Sequence, residues 1–280
     1  MRILAISHAC LFGVYRAIYR ELGLRGHEVA LVTAREWTEG QRYFACESQQ
    51  SGDPQLVPLA LSSFKPRTYL FDGLIDFAER FKPDLVLLDN DPISRLTLQL
   101  GAWCRRTGTL LCTISCENLS FDIFSSVRRR GLLRGVATAL PKLAVTPIVR
   151  SFVDHVFTIS EDGRRLFQQL GFRRVTKIPL GFDPRLFRPD PVARSRIRAA
   201  IKWNGPLVAY FGRVTPEKGI HVLVNAIARI PNQPWRLLLD KFVEYENSYA
   251  GDVAEKMRRL DIESRIIWCN PDHAAVGDYM

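Results

Sequence analysis

Much of what the chain leaves out is informative. No G-x-G-x-x-G follows the first apolar run, so the dinucleotide fingerprint fails. No G-x-x-x-x-G-K-[ST] occurs, so an ATP-type P-loop is absent. The six cysteines (10, 46, 104, 112, 116 and 269) are spread along 280 residues. Only Cys112 and Cys116 are close, no histidine lies near them, and zinc is not expected. Nothing resembles a disulfide framework, which implies a reducing compartment and a cytoplasmic location. No run of about 18 uncharged apolar residues exists, so no membrane-spanning helix is predicted. The apolar run after Arg2 is broken by Ser7-His8, too early for a secretory leader, and reads as a first strand. Internal repeats and low-complexity tracts are also missing.

Acidic residues are the scarcer charged class. Asp and Glu total 29 against 39 Lys and Arg, a net charge of +10 and a pI near 9.6. Such a balance favours acidic partners: sugar nucleotides, phospholipid surfaces or nucleic acid. The 47% apolar content is that of an ordinary globular chain, long enough for two cores.

Apolar runs alternate with helical periodicity. Ile3–Ser7 and Val29–Thr33 read as strands flanking a helix that carries Tyr15, Ile18, Tyr19 and Leu22. Residues 35–54 are polar and read as one long loop. Gln55–Leu61, Leu85–Leu88, Leu110–Ser115 and His155–Ile159 read as further strands. Helices are predicted around Leu70, Leu74, Phe77 and Phe81, and again around Ile93, Leu96, Leu100 and Trp103. Asp91 and Pro92 read as the N-cap and first residue of the latter helix, and Ser160 as another cap. The alternation predicts α/β architecture with mainly parallel sheets. Pro184, Pro189 and Pro191 place a hinge near 184–204, separating domains at 1–190 and 203–280. The second domain shows strands at 206–211, 235–239 and 266–269. Leu207–Phe211, apolar on both faces, is expected at the centre of its sheet.

The stretch Phe211-Gly212-Arg213-Val214-Thr215-Pro216-Glu217-Lys218-Gly219-Ile220 links a buried strand to a helix marked by Ile220, Leu223, Val224 and Ile227. A helix N-terminus offers free N–H groups and positive potential. Gly212 and Gly219 permit close backbone approach. Arg213 adds a planar fork and Lys218 a point charge, both suited to phosphate oxygens. Together these are the parts of a diphosphate site; a solvated turn with two surface cations is the plainer reading.

Gly212-Arg213 followed by Glu217-Lys218-Gly219 resembles the donor-binding loop of the family 4 glycosyltransferases. Ile178-Pro179-Leu180-Gly181-Phe182-Asp183, with Phe187 and Pro189, resembles that family's inter-domain segment. Arg2-Ile3-Leu4 through Gly26-His27-Glu28-Val29 resembles its opening strand, helix and turn. The resemblance implies two Rossmann-like domains in the GT-B arrangement, the second incomplete here. It implies sugar transfer from a nucleotide sugar to an acceptor hydroxyl with retention, no metal, and no cofactor beyond the donor. Arg213 and Lys218 would hold the diphosphate beside Gly212 and Gly219, and Gly13 resembles the family's glycine loop. The family's late Glu-x7-Glu pair has no counterpart, and Leu237–Phe242 lacks the glycines that usually follow. A chain of little activity is therefore expected. The competing readings are a non-catalytic remnant or anion-binding module, and a sugar-nucleotide epimerase.

Three clusters remain. Asp89-Asn90-Asp91 spells D-x-D, but capping of the next helix accounts for Asp91, so no metal site is assigned. Glu117, after the Leu110–Ser115 strand, could orient a sugar hydroxyl or accept a proton as a catalytic residue; a plain loop is the alternative. Arg128-Arg129-Arg130, Arg134, Lys142 and Arg150 surround Leu132, Leu133, Val136, Leu140, Leu143 and Val145, broken by Pro141 and Pro147. That basic amphipathic stretch reads either as a domain face with solvated charges or as peripheral contact with the anionic inner face of a membrane. The expected partners are the nucleotide sugar and a sugar, lipid-linked or small-molecule acceptor, with no nucleic acid.

Overall fold

The computed structural model describes residues 1–39, 42–65, 67–119, 122–212, 214–240, 248–269, 271 and 275–279. The chain divides into two compact units, Met1–Gly181 and Phe182–Met280.

In the first unit β1 (Arg2–Ile6) leads through two 3-10 turns, His8–Leu11 and Gly13–Arg16, into α1 (Ala17–Leu24). β2 (Glu28–Ala34) is followed by an antiparallel hairpin of β3 (Glu36–Glu39) and β4 (Arg42–Ala45), then by β5 (Gln55–Leu59). Next come α2 (Leu74–Phe81), β6 (Leu85–Asp89), α3 (Arg95–Thr107) and β7 (Leu110–Ser115). A helical pair, α4 (Ile123–Arg130) and α5 (Leu132–Phe152), precedes β8 (His155–Thr158), α6 (Glu161–Gln169) and β9 (Val175–Lys177).

Seven of these strands form one parallel sheet in the order β5-β2-β1-β6-β7-β8-β9. The order reverses between β1 and β6, the switch point at which doubly wound sheets open a crevice at their carboxyl ends. β1 is buried on both faces: Leu4 and Ile6 enter one core, Ile3 and Ala5 the other. Burial on both faces explains why β1 and β6 read as unbroken apolar runs.

The expected loop at 35–54 contains the β3–β4 hairpin. Trp37 and Phe44 are directly opposed across it, and Trp37 is buried in the core. Cross-strand aromatic pairing secures strands too short to show a period in sequence. Behind the hairpin the Arg16 side chain is wholly buried. It pairs with Asp53 at 2.8 Å and donates to the carbonyls of Cys10, Leu11, Glu47 and Ser48.

α5 runs unbroken through Pro141 and Pro147, contrary to the expected interruption. Each interior proline costs about 3 kcal/mol of helix stability. Packing against α4 and α3 offsets this: Gly135 lies against the Val127 backbone, and Phe152 lies over Gly101. By length and composition alone α5 is long and apolar enough to cross a membrane.

The second unit opens with α7 (Pro191–Ala200), capped by Asp190, whose carboxylate accepts from Val192 and Ala193 N–H. Arg196 pairs with Asp278 at 2.5 Å, tying α7 to the 3-10 turn Ala275–Tyr279. β10 (Leu207–Tyr210), α8 (Ile220–Ala228), β11 (Arg236–Asp240), α9 (Ser248–Arg259) and β12 (Ile266–Cys269) follow. The parallel sheet has the order β10-β11-β12. The expectation that Leu207–Phe211 is central is therefore corrected. Among the described residues β10 has a strand neighbour on one side only and is half-exposed, with Val208 38% accessible. β11 is the inner strand, and its Leu237, Leu238 and Leu239 are buried.

Candidate functional site

At the switch point of the first unit, strand ends bring polar residues together. Ser7, just past β1, donates its hydroxyl to Asp89 at the end of β6 at 2.7 Å. Burial pushes the Asp89 carboxyl above its usual range, and the neighbouring Asp91 adds to this, against the Ser7 hydrogen bond. Burial also lowers His8 to about 4, so its imidazole is neutral. His8 Nδ1 lies 3.1 Å from the Tyr69 hydroxyl, which accepts from the Asn90 amide at 3.1 Å.

Asp91 does not cap α3. Ser94 does, accepting from Thr97 N–H at 3.2 Å, and the helix starts at Arg95. The Asp91 carboxylate is engaged elsewhere: Arg67 Nε donates to it at 2.5 Å and Ser115 Oγ donates at 2.5 Å. Arg67 reaches Glu117 with its other arm. One guanidinium thus spans two carboxylates, the planar fork that Arg supplies and Lys cannot. Glu117 is fixed further by the Leu119 N–H at 3.1 Å, and its own N–H donates to Ser115 Oγ at 3.1 Å. Arg67 sits at φ 69°, in the left-handed region. A non-glycine residue there is strained, and such residues cluster at working sites. Arg67, Asp91 and Glu117 line one pocket together with Lys142 of α5. With both Glu117 oxygens already hydrogen-bonded, the cluster is equipped to orient a hydroxyl more than to strip its proton. Cys116, between Ser115 and Glu117, is the exposed member of six free cysteines.

Gly13, also in this unit, gives its backbone N–H to the Glu47 carboxylate at 2.7 Å. A Cβ at Gly13 would lie 2.7 Å from Gln50 Nε2, so the segment held by Arg16 and Asp53 closes over it.

In the second unit the predicted loop follows β10 at its carboxyl end. Arg213 lies outside the described residues, as do 241–247 after β11. Gly212 has φ 148° and Gly219 φ 71°, both in the region that favours glycine. Gly219 is the residue at which α8 begins, and a Cβ there would meet nothing within 4 Å, so the approach to the helix start is open. Lys218 is exposed within the 3-10 turn Pro216–Lys218. Thr215 Oγ1 is buried with no hydrogen-bond partner among the described residues. A buried hydroxyl is costly to leave unpaired; Thr113 Oγ1 in β7 is in the same state. At the helix start, the Tyr249 hydroxyl accepts from His221 N–H at 3.2 Å and lies 2.6 Å from His221 Nδ1.

Sequence reasoning singled out Lys218, Gly212, Gly219 and Glu117 as candidates; the structure adds Arg67, Ser115 and Tyr69 around Glu117 and Asp91, and Thr215 in the loop after β10. The only sequence sign of the first group was the position of Glu117 after a strand; Arg67 sits in no motif.

Comparisons with known proteins bear on the family and the fold. The family model for the glycosyl transferase 4-like domain matches residues 13–181, more than half of the chain. Among solved structures the chain is similar to HepE of Anabaena in complex with UDP and glucose, with a TM-score of 0.68 and 17% identity. The match covers 100% of this chain and 71% of that one. It is similar to sucrose-phosphate synthase of Thermosynechococcus elongatus, with a TM-score of 0.68, 19% identity, and coverage of 100% and 73%. A UDP-GlcNAc 2-epimerase of Neisseria meningitidis bound to UDP-GlcNAc gives a TM-score of 0.54 and 13% identity, with coverage of 100% and 74%. The fold is thus that of the GT-B proteins, with two Rossmann-like α/β units, and the chain spans 71–74% of the length of these neighbours. No curated protein sequence matches the chain.

Proposed function

The chain belongs to the glycosyl transferase 4-like family, and on that premise we propose that it moves a sugar from a nucleotide sugar to an acceptor hydroxyl with retention of configuration. The observation that carries the reading is the loop after β10. It combines an open helix start at Gly219, an exposed cation at Lys218 and the unpaired hydroxyl of Thr215. The complexes of HepE with UDP and of the epimerase with UDP-GlcNAc support a nucleotide-sugar ligand for this chain.

In this reading Lys218, with Arg213 five residues before it in sequence, neutralises charge that grows on the departing diphosphate. Preorganised cations and N–H groups aimed at developing charge usually lower the barrier of such a step more than any other single effect. Gly212 and Gly219 let the phosphates reach backbone N–H groups, and Thr215 Oγ1 has a hydroxyl to offer. Protein cations take the role that a metal plays in other transferases, as the family resemblance implies. Glu117 and Asp91, held by Arg67, orient the acceptor hydroxyl. The acceptor is a sugar, a lipid-linked sugar or a small hydroxyl compound, and the free cysteines support a cytoplasmic setting.

Incubation of the full chain with radiolabelled nucleotide sugars and hydroxyl acceptors tests the proposal. The expected products are a labelled glycoside of retained configuration and free nucleoside diphosphate in equal amounts. An epimeric nucleotide sugar without released diphosphate would replace transferase by epimerase, and a glycoside of inverted configuration would overturn retention.

A further inference from the structure

α5 presents a face that the domain does not use. Towards the protein it buries Gly135, Ala139, Thr146 and Val149, and Val145 and Phe152 pack half-buried against the core. The opposite face carries Leu133, Ala137, Leu140, Ala144 and Ile148, all exposed. Their spacing of four, three, four and four returns to one side of a helix, so they form a continuous apolar stripe about 22 Å long. Leu133 is 85% accessible, Leu140 56% and Ile148 51%. Phe124, near the start of α4, and Leu132, the first residue of α5, are also exposed, 77% and 67% accessible. This inverts the usual surface helix, whose apolar stripe faces the core and whose charges face water.

The charge of the segment selects what covers it. From Ile123 to Val153 the sequence has no Asp or Glu and six cations: Arg128, Arg129, Arg130, Arg134, Lys142 and Arg150. A second copy laid on this face would set cations against cations with no acid between them. Passage of α5 across a bilayer would pull Val149 out of the core and Phe152 off Gly101. An apolar stripe in a segment where Arg128, Arg134 and Arg150 are exposed matches the boundary between anionic head groups and acyl chains.

We infer that the α4–α5 hairpin is a docking surface for an anionic lipid bilayer, with α5 lying in the plane of the interface. The tight crossing at Gly135, where a Cβ would come 2.5 Å from Val127 Cα, holds the two helices as one rigid element.

The test is sedimentation of the full chain with vesicles of phosphatidylcholine, alone or mixed with phosphatidylglycerol, without nucleotide. Binding is expected to the mixed vesicles, little to the neutral ones, and less as salt rises. Leu133→Ser with Leu140→Ser should weaken binding about tenfold or more, and Arg134→Gln with Arg150→Gln should weaken it on anionic vesicles. Both pairs are at exposed positions, and unchanged circular dichroism and thermal midpoint will show the fold intact. No binding to mixed vesicles, or equal binding by the folded leucine variant, overturns the inference. Resistance to alkaline carbonate extraction would make α5 a span, and a lipid-free dimer abolished by the leucine variant would make the occupant a second copy; either also overturns it. Since the assay contains no nucleotide, its failure leaves the transfer reading standing, and failure of transfer leaves docking standing.

Discussion

Ser7 Oγ donates to Asp89 Oδ2 at 2.7 Å across the seam between β1 and β6. That bond is the main support for a carboxylate whose pKa burial raises. With a folded pKa above the unfolded value, Asp89 holds its proton longer in the native state. Stability therefore falls as pH rises from the unfolded pKa, about 3.9, through the raised folded value, and stays lower above it. Asp89→Asn removes that loss while retaining an acceptor for Ser7. In urea titrations the variant should equal or exceed the parent at pH 7, with its relative advantage shrinking towards pH 4. A variant that is less stable at pH 7 would show the charge to be an asset.

Arg67 holds Asp91 and Glu117 together, so its removal leaves two carboxylates side by side. Arg67→Ala should cost about 1–3 kcal/mol in urea unfolding and lower sugar transfer at least tenfold. Arg67→Lys should restore part of the stability but little of the transfer, because an ammonium cannot span both acids. Transfer rates that track stability alone would mean that Arg67 has only a structural part.

Arg213→Ala and Lys218→Ala should each weaken nucleoside diphosphate binding tenfold or more, since hydrogen bonds to charged groups contribute about 1.5–3 kcal/mol. Arg213→Lys should recover only part of the loss. Calorimetry with UDP provides the measurement; unchanged affinity in both folded alanine variants would make the loop an ordinary turn.

Gly135→Val forces a side chain into the Val127 backbone, where even a Cβ lacks room. Overpacking of this kind costs about 1–3 kcal/mol. The thermal midpoint should drop by several degrees, roughly as expected for such a loss, while UDP affinity is unchanged. A midpoint equal to the parent's would mean that the α4–α5 crossing yields easily.

The parts legible in sequence were those set by local pattern. The inner strands β1 and β6 are apolar on both faces, and Ser160 caps α6 from the position its side chain suggests. Lys218 and Gly219 stood out as candidates because the proposed roles follow from adjacent residues. Asp91-Pro92 misled because the dipeptide has the chemistry of a helix start, yet the Asp91 carboxylate is engaged by an arginine 24 residues away. Arg67 lies 50 residues from Glu117, and no periodicity announces such a pairing. The edge position of β10 escaped for a related reason: apolar composition reports what covers a strand's faces, not which strands lie beside it.

Cys116 turns the acceptor-side cluster into something observable. Its side chain is accessible, but partial burial, then Asp89 and Asp91, raise the thiol above its ordinary pKa. Little thiolate is present at neutral pH, so alkylation there is slow and accelerates as pH climbs. The other five thiols are less exposed, which gives a maleimide one preferred address, directly beside Glu117. Labelling speed at Cys116 is thus a built-in gauge of that cluster's electrostatic state: a cation settling near Asp91 quickens it, and a molecule covering Glu117 slows it.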